Sequence, residues 1–323
     1  MPESSGIWVF CERYAHGIRP VAFELLGRAA SLDAELHSGV TAVLVGGNAD
    51  DAPRLAACGA DTVLLAGTTD PERPDELEHT DILAELIRKY RPAILLLGAT
   101  AFGRSLAPRL AARLGTGLTA DCTGLAIDPD TGLLRQTRPA FGGNLMATIV
   151  CPDRRPQMAT VRPKVFPRPV PDAARAWNLI DETATSGTRA FEWLERLPSL
   201  RDADIGDADV LVAVGQGIGG AENIALAAKL AEKLGGAVAS SRPLVDSGVM
   251  PYPCQVGQTG KTVTPKLYIA LGISGAIQHM AGVSAGTLVA VNTDPDAPIF
   301  SSADIVIRCD CGAFLRSILS LLA

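Results

Sequence analysis

Short apolar runs alternate with longer helical patterns along this chain, and this alternation restricts the possible folds more than any other feature. In the first half, residues 80–90 and 104–115 have apolar positions that recur with helical spacing. Buried strands that alternate with helices usually form parallel sheets. The sequence therefore predicts an α/β domain with a largely parallel sheet. Its strand-like runs are "GIWVFCE" (6–12), "VTAVLVG" (40–46), "TVLLAG" (62–67) and "AILLLGA" (93–99).

From residue 116 the pattern changes to short pieces separated by Gly and Asp-Pro turns. Residues 126–139 and 141–163 have this character, which predicts antiparallel hairpins added to the sheet. Residues 152–171 then contain six prolines, and the sequence up to about 206 is charged and weakly periodic. We expect this part to be a connector that wraps over a surface.

The α/β alternation restarts near residue 204, which predicts two domains, 1–203 and 204–323. Helical patterns cover 221–235 and the last residues of the chain. We expect each domain to bury a core of its own, because the chain is long and 47% apolar. The predicted strands of the second domain are 209–215, 266–272, 287–292 and 303–309.

The charge of the chain argues against a nucleic-acid surface. The formal net charge is −6, and the Lys and Arg residues are scattered rather than clustered. No window reaches the roughly 18 uncharged apolar residues that a membrane span needs, and the N-terminus lacks the pattern of a signal peptide. We therefore expect a cytoplasmic protein with no direct membrane insertion.

The cysteines fit a reducing compartment, because there are seven of them and no CxxC pair. Cys309 and Cys311 have strand spacing, so we expect two packed thiols on one face rather than a metal or redox site. The four histidines are far apart and show no ligand spacing. The sequence therefore predicts no metal site.

The string "GQGIGG" (215–220) follows a predicted strand and opens a predicted helix. It matches G-x-G-x-x-G at Gly215, Gly217 and Gly220, and this geometry suits a phosphate because glycine lets the backbone approach closely. An NAD site also needs an acidic residue after the second strand, about 20 residues on. Here that strand ends in "VASSRP", which does not favour an ordinary NAD site.

The loop "CQVGQTGKT" (254–262) resembles a Walker A motif but lacks its first glycine, because position 255 is Gln. The next run, "VTPKLYIALG", is a predicted strand that contains Pro265, whereas a P-loop leads into a helix. We therefore exclude an ATPase. A Gly-rich loop with several backbone donors remains, and it is either a surface turn or a ligand contact.

The stretch "LGISGAIQHM" (271–280) is a third Gly-rich loop. It is not a G-x-S-x-G nucleophile elbow because position 276 is Ala, which leaves Ser274 as a helix cap or a phosphate ligand. Gln278 and His279 are predicted in the first turn of a helix, where a buried histidine is either a core residue or a ligand contact.

All three loops follow strands of one predicted sheet, so they should meet at its carboxyl edge. Open α/β sheets bind their ligands at that edge. The strand ends near Asn292 and Asp310 add to the same edge. Together these loops predict a long ligand that carries phosphate.

Several segments resemble a known family, the electron transfer flavoprotein alpha subunit. "SSRPLVDSG", "QVGQTGKTVTPKLYIALGISGAIQHMAG" and "VAVNTDPDAPIFSSAD" are similar to its Rossmann-like FAD-binding domain, from about Val210 to Asp310. "LLLGATAFGRSLAPRLAARLGTGLTADCTGL" and "TRPAFGGNLMATIVCPDRRPQMATVRP" are similar to its N-terminal domain. The resemblance covers nearly the whole chain and is strongest to the branch that includes flavin-bifurcating members.

The resemblance implies one bound FAD. Arg242 would lie against the flavin ring, Thr259 near N5, and His279 near the pyrimidine end of the ring. A donor and a cation there would stabilise the reduced flavin and raise its potential. The adenosine part would be held by Asn292, Asp310 and Cys311. The other implied cofactor-binding residues are Gln216, Gly217, Ser241, Gln255, Val256, Gly257, Gln258, Gly272, Ser274, Gly275, Ala276, Ile277 and Gln278.

One position departs from the family pattern. Many members have Arg where this chain has Gln216, near the FAD phosphates. Loss of that cation should weaken pyrophosphate binding unless a helix N-terminus and Lys261 compensate.

The resemblance further implies an electron carrier without a substrate of its own. It would pair with an electron transfer flavoprotein beta subunit, with the N-terminal domain mainly as the subunit interface. Its electrons would come from dehydrogenases, such as the acyl-CoA dehydrogenases of fatty acid beta-oxidation, and go to an acceptor such as a quinone oxidoreductase.

Two alternatives stay open. One is a subunit of a flavin-bifurcating, NADH-oxidising complex, in which a second flavin would lie mostly in the partner. The other is an NAD-dependent Rossmann enzyme, which would need an acidic ribose ligand and a general acid or base. A purely structural role is the least supported alternative, because it does not explain why three Gly-rich loops converge.

Overall fold

The computed structural model describes residues 4–14, 17–68, 70–71, 74–140, 145–182 and 205–322. It divides into two compact units, on either side of the segment 183–204. The predicted domain boundary at 204 lies outside the described residues, so its position stays a prediction.

The first unit contains a large parallel sheet with helices on its faces. Its helices are α1 (Pro20–Leu36), α2 (Ala52–Ala57), α3 (Glu76–Tyr90) and α4 (Ala101–Leu114). Its strands are β1 (Ile7–Phe10), β2 (Arg13–Tyr14), β3 (Gly17–Ile18), β4 (Val40–Val45), β5 (Thr62–Ala66), β6 (Ile94–Gly98), β7 (Leu118–Cys122), β8 (Gly124–Ile127), β9 (Leu134–Ala140), β10 (Leu145–Ile149), β11 (Gln157–Val161) and β12 (Asn178–Glu182).

The described strands of this sheet have the order β12-β5-β4-β1-β6-β11-β7, and every pairing is parallel. Strand β1 shows why the apolar runs are continuous. Ile7 and Val9 belong to the core on one face of the sheet, whereas Trp8 and Phe10 belong to the core on the other. A strand buried on both faces has no room for alternating polar residues, and the predicted parallel α/β sheet is confirmed.

The prediction of an irregular connector over residues 152–171 is wrong at its centre. Residues 157–161 form β11, which is fully buried and pairs with both β6 and β7. Farther along, β12 pairs with β5 at one edge of the sheet. The density of prolines hid β11, because the prolines flank this strand and leave its own backbone donors intact.

The stretch between these two strands does pack on the surface of the first unit. Phe166 packs against the core, Pro169 lies against Gly27, and the N–H of Asp172 donates to the carbonyl of Ala57 at 2.8 Å. Among the described residues, the predicted wrapping therefore holds for 162–177, and the part of the predicted connector over 183–204 lies outside the described residues.

The predicted hairpins form in part. Strands β8, β9 and β10 are antiparallel, but they make a three-stranded sheet of their own rather than extending the main one. Strand β7, which the sequence assigned to the same region of hairpins, joins the main sheet in parallel instead.

The second unit holds a smaller parallel sheet, whose described strands have the order β14-β13-β15-β16-β17. These strands are β13 (Val210–Val214), β14 (Ala237–Ser240), β15 (Leu267–Leu271), β16 (Thr287–Asn292) and β17 (Ile305–Arg308). The helices are α5 (Ala221–Lys233), α6 (Arg242–Asp246), α7 (Ile277–Met280) and α8 (Cys311–Leu321).

The strand order of this sheet reverses between β13 and β15. From β13 the chain crosses to β14 on one side, and later returns to β15 on the other side. Such a switch point opens a crevice at the carboxyl ends of the two strands, where open α/β sheets bind ligands.

The predicted pairing of Cys309 and Cys311 on one strand face is wrong. Strand β17 ends at Arg308, and Cys311 is the first residue of α8. Both thiols are free. Among the described residues there is no group of three or more His, Cys, Asp or Glu that could hold a metal ion, and no described helix is long and apolar enough to cross a membrane.

Candidate functional site

A cavity of about 540 Å³ lies at the carboxyl edge of the second sheet. This volume falls within the range of typical small-molecule sites, roughly 300–1,000 Å³. The lining residues come from the segments that follow four strands and from the loop 256–259: Gln216, Gly217, Ser241, Arg242, Pro243, Val256, Gly257, Gln258, Thr259, Gly272, Ile273, Ser274, Ala276, Gln278, His279, Asn292 and Asp294.

The register of the sheet aligns the carboxyl ends of β13, β14 and β15. Val214, at the end of β13, is paired with Ser240 on one side and with Leu271 on the other. The segments that follow β13, β14 and β15 therefore leave the sheet side by side. The N–H of Gly215 then donates to the carbonyl of Leu271 at 2.8 Å, which extends the ladder into the loop.

Glycine makes the closest approach between these loops possible. The N–H of Gly217 donates to the carbonyl of Gly272 at 3.0 Å. A Cβ on Gly272 would lie 2.3 Å from the carbonyl carbon of Gly217, and Gly272 has a φ of +63°. Because both the space and the backbone conformation exclude a side chain, the first and third loops meet backbone to backbone.

The second loop is attached to the other two by its backbone. The N–H of Val256 donates to the carbonyl of Ser240 at 2.9 Å, and the N–H of Gln258 donates to the carbonyl of Gln278 at 2.7 Å. Gly257, between them, has a φ of +137°, and a Cβ there would lie 2.9 Å from the Gln278 oxygen. The three loops predicted to meet at this edge are thus brought together. The prediction that all three follow strands is wrong for the second loop, because a 3-10 helix (Tyr252–Cys254) leads into it and backbone hydrogen bonds bring it to the edge.

The side chains of Gln255 and Tyr252 fix the conformation of this loop. Gln255 is buried, and its Nε2 donates to Thr259 Oγ1 at 3.0 Å. Tyr252 is exposed, and its hydroxyl donates to the carbonyl of Thr259 at 3.1 Å. Gln255 therefore supports the cavity wall without lining it.

His279 is buried in the wall of the cavity with hydrogen bonds at both ring nitrogens. Nδ1 lies 3.1 Å from the carbonyl oxygen of Val256, and Nε2 lies 2.9 Å from the hydroxyl of Tyr268. Burial lowers the pKa of His279, which the hydrogen bond to Val256 partly opposes. His279 is thus a lining residue whose neutral form is favoured.

The third loop offers backbone donors to a ligand. The N–H groups of Ser274 and Ala276, which both line the cavity, donate to no acceptor within the described part of the chain. Free N–H groups of this kind suit an anion such as phosphate. The hydroxyl of Ser240 is also buried without a hydrogen-bond partner among the described residues, next to the lining residue Ser241.

Arg242 supplies a positive charge to the cavity. It is the first residue of α6, follows Ser241, and its side chain is 61% exposed. Its Nε donates to Asp246 Oδ2 at 3.1 Å. A cation and free backbone donors in the lining of one cavity suit an anionic ligand.

Fourteen of the nineteen residues implied by the resemblance line this cavity, so most of the predicted site forms one surface. Asn292 is one of them, but its side chain is engaged in the protein. Its Nδ2 donates to the carbonyl of Ile273 at 3.1 Å, and its Oδ1 accepts from the N–H of Asp294 at 3.1 Å. Contact of all nineteen with a cofactor stays a prediction.

Five implied residues do not line the cavity. Gln255 packs behind it, as described above. Gly275 lies against the backbone of Ile299, and a Cβ on Gly275 would be 2.4 Å from the Ile299 nitrogen. Ile277 is largely exposed to solvent. The carboxylate of Asp310 caps α8 by accepting from the N–H of Ala313 at 2.9 Å.

The fifth residue, Cys311, is the first residue of α8 and is buried in the core of the second unit. Burial raises the pKa of its thiol to about 11, so it is protonated at neutral pH. In this structure its Sγ lies 3.9 Å from the carbonyl of Val291.

Three lining residues were missed by the sequence analysis: Pro243, Ile273 and Asp294. Each is a neighbour of a predicted residue along the chain. Asp294 carries the clearest signal, because it lies in the segment that follows β16 and already contained the predicted Asn292. The carboxyl end of a strand at a ligand-binding edge was sufficient reason to include it.

The residues present fit a dinucleotide such as FAD. The cavity spans several strand ends, combines apolar walls with backbone donors, and includes Arg242. Lys261, the cation expected to compensate for Gln216, does not line the cavity. The free N–H groups of Ser274 and Ala276 are backbone donors available to a phosphate.

Comparison with known proteins identifies both halves of the chain. The family profile described as electron transfer flavoprotein domain matches residues 7–186. The profile described as electron transfer flavoprotein FAD-binding domain matches residues 204–284, which include most of the cavity.

Individual relatives match over almost the whole chain. An electron transfer flavoprotein subunit alpha of Thermoanaerobacterium thermosaccharolyticum is 47% identical, with 94% of this chain and 93% of the relative covered. A Protein FixB of Clostridium saccharobutylicum is 45% identical, with 94% and 91% covered. The lactate dehydrogenase (NAD(+),ferredoxin) subunit LctC of Acetobacterium woodii is 40% identical, with 98% and 77% covered.

Proposed function

Because this chain belongs to the electron transfer flavoprotein alpha-subunit family, we propose that it holds FAD in the cavity of the second unit. It would do so as the alpha subunit of a heterodimer that carries electrons between other proteins. The beta subunit of the same family is its partner in this proposal, and the N-terminal domain provides most of the interface.

One observation carries the proposal. Three Gly-rich loops meet at the switch point between β13 and β15, and they surround a cavity with free backbone donors and one cation. A phosphate-bearing dinucleotide matches this combination, because the N–H groups of Ser274 and Ala276 suit phosphate and the apolar wall suits a ring system.

FAD, when bound, supplies the redox chemistry, and the residues of this chain bind it and adjust its potential. Arg242 would add positive charge beside the ring, which favours the reduced cofactor. Tyr268 and Val256 hold His279 in one orientation. No proton has to be taken from a substrate, so this role needs no general base.

The electrons would come from a dehydrogenase, such as an acyl-CoA dehydrogenase of fatty acid beta-oxidation, and pass to an acceptor such as a quinone oxidoreductase. Both transfers would occur by encounter between proteins, because the proposed site binds the carrier cofactor rather than a substrate.

A second candidate is a subunit of a flavin-bifurcating complex that oxidises NADH. The similarity to the LctC subunit supports it, because the name of that relative pairs NAD(+) with ferredoxin. In this alternative, a second flavin lies mostly in the partner subunit.

An NAD-dependent enzyme is less well supported. Strand β14 ends at Ser240, and Ser241 and Arg242 follow, so no carboxylate stands where an NAD ribose would be held.

Co-expression of the chain with the beta subunit of its own operon or genome tests these proposals. The absorbance spectrum of the purified complex and the FAD released on denaturation are measured together. One FAD per heterodimer supports the simple carrier, and two support the bifurcating complex. A colourless protein that takes up no added FAD would overturn the flavoprotein assignment. The NAD-dependent enzyme would then have to be considered again.

A further inference from the structure

Arg242 and Asp246 lie one turn apart on the short helix α6, and their side chains form an ion pair at the rim of the cavity. Arg242 lines the cavity, whereas Asp246 does not. We infer that Asp246 is a positioning residue, which acts through Arg242 to limit the positive charge available to the bound cofactor. This inference rests on the proposed binding of FAD.

The backbone of α6 holds Asp246 in place. Leu244, between the two charged residues, is buried in the core of the second unit. Its carbonyl oxygen accepts from the N–H groups of both Val249 and Met250, at 3.0 Å each. The turn that closes the helix has Gly248 at a φ of +72°. The carboxylate is therefore carried by an anchored turn, although its own side chain is exposed.

The ion pair uses only part of the guanidinium group. Nε of Arg242 donates to Asp246 Oδ2 at 3.1 Å, and no other hydrogen bond of this guanidinium occurs among the described residues. A guanidinium has further donors on its two terminal nitrogens. One side of the group is thus tied to the helix, while those donors stay available to a ligand.

The charge of Asp246 opposes that of Arg242 at the same place. Both side chains are 61% exposed, so solvent screens the pair and its effect is modest. Nevertheless, a carboxylate bound to the one cation of the described cavity lining lowers the positive potential that the cofactor experiences. Removal of this carboxylate charge should therefore favour the reduced cofactor.

Asp246→Asn separates charge from geometry, because Asn keeps an oxygen that can accept from Nε of Arg242. The measurement is the equilibrium between the FAD-loaded heterodimer and a reference dye of known potential, followed by the absorbance of both. We expect the equilibrium constant for flavin reduction to rise about two- to fivefold, the effect of an exposed ion pair.

Asp209→Asn is the matched control. Asp209 pairs with Lys266 at 3.0 Å in another exposed ion pair of the same unit, but it lies before β13, at the opposite end of the strands. This variant changes the net charge of the chain by the same amount. We expect its equilibrium with the dye to equal that of the parent protein.

The same substitution in an Arg242→Ala background tests whether Asp246 acts through Arg242. We expect the effect of Asp246→Asn to fall below half of its size in the parent. An effect of equal size in both backgrounds would mean a direct action on the cofactor and would overturn the inference. An equilibrium constant for Asp246→Asn that equals the parent and Asp209→Asn values would overturn it as well.

Failure of the inference is distinguishable from failure of the proposed function. If the parent heterodimer retains FAD but Asp246→Asn gives the same equilibrium constant as the parent and Asp209→Asn, Asp246 has no positioning role. The flavoprotein assignment then stands. If the parent takes up no FAD, the proposed function is wrong, and the inference falls with it.

Discussion

The phenolic oxygen of Tyr268 lies 2.9 Å from Nε2 of His279, and the Tyr268 side chain is fully buried. The other ring nitrogen, Nδ1, lies 3.1 Å from the carbonyl oxygen of Val256. A carbonyl only accepts, so Nδ1 carries the proton, and the neutral ring accepts from the Tyr268 hydroxyl at Nε2. Burial raises the pKa of Tyr268 and keeps its proton available as this donor.

Tyr268→Phe should lower the free energy of unfolding by about 1–3 kcal/mol, because it leaves Nε2 of His279 buried without a donor. Urea unfolding followed by circular dichroism measures this change. Tyr252→Phe is the control, since it removes a hydroxyl that also makes a hydrogen bond but on a side chain 64% exposed. Equal losses in the two variants would contradict the assigned hydrogen bond.

The stability of the protein should fall as the pH drops below about 6.5, the ordinary pKa of histidine. Burial lowers the pKa of both His279 and His79, so in this range the unfolded chain takes up protons that the folded chain does not. The stabilisation is therefore present above the ordinary pKa and is lost towards the lowered one.

Urea unfolding at a series of pH values checks this dependence. His279→Gln should reduce the slope of unfolding free energy against pH below pH of about 6.5, whatever its effect on stability at neutral pH. His37→Asn serves as the control, because His37 is exposed and Asn tolerates its φ of +52°. A slope for His279→Gln that equals the parent slope would argue against a neutral, buried His279.

Gly272→Ala should destabilise the second unit by about 3 kcal/mol or more and reduce the FAD retained on purification. Its Cβ would meet the backbone of Gly217, which adds a clash to the cost of a side chain at φ of +63°. Gly235→Ala isolates the conformational part, because Gly235 has a φ of +64° and no described atom within 4 Å of the added Cβ.

Gly235→Ala alone should cost about 1–2 kcal/mol. If both glycine variants lose the same stability and retain the same FAD, the close contact between the first and third loops is not important to the site.

Arg242→Ala should lower the reduction potential of the bound flavin, because the cavity loses a cation that favours the reduced cofactor. Stability should change by less than about 0.5 kcal/mol, since the side chain is exposed. A potentiometric titration measures the midpoint. Lys266→Ala, which removes an exposed cation at the other end of the sheet, should leave it unchanged. A midpoint for Arg242→Ala equal to that of Lys266→Ala would refute the placement of Arg242 beside the flavin.

Several parts of the fold followed from local patterns. The continuous apolar run 209–215 predicted β13, and the alternation with helices predicted a parallel sheet. These are properties that a residue and its close neighbours in the chain largely decide. The loops at Gly215 and Gly272 follow strands, as predicted, and the structure brings them into backbone contact. The loop at Gly257 follows a 3-10 helix instead, and hydrogen bonds to Ser240 and Gln278 hold it at the same edge.

Other parts did not follow from local patterns. Residues 157–161 are proline-flanked and five residues long, and only their two partner strands identify them as the buried strand β11. For β11 the deciding contacts are made by the fold rather than by the pattern. Asp310 is different, because its carboxylate caps α8 through the N–H of Ala313, only three residues away, and its contact with a cofactor stays a prediction.

By itself, the sequence determined the α/β class, the three Gly-rich loops and the resemblance that assigned an FAD-binding domain. These depend on side-chain periodicity and on glycine positions, which are local properties of the chain. Only the tertiary structure decided that Tyr268 donates to His279 and that Gly217 meets Gly272. Such contacts depend on strand order and register, because a parallel sheet joins residues that are far apart in the sequence.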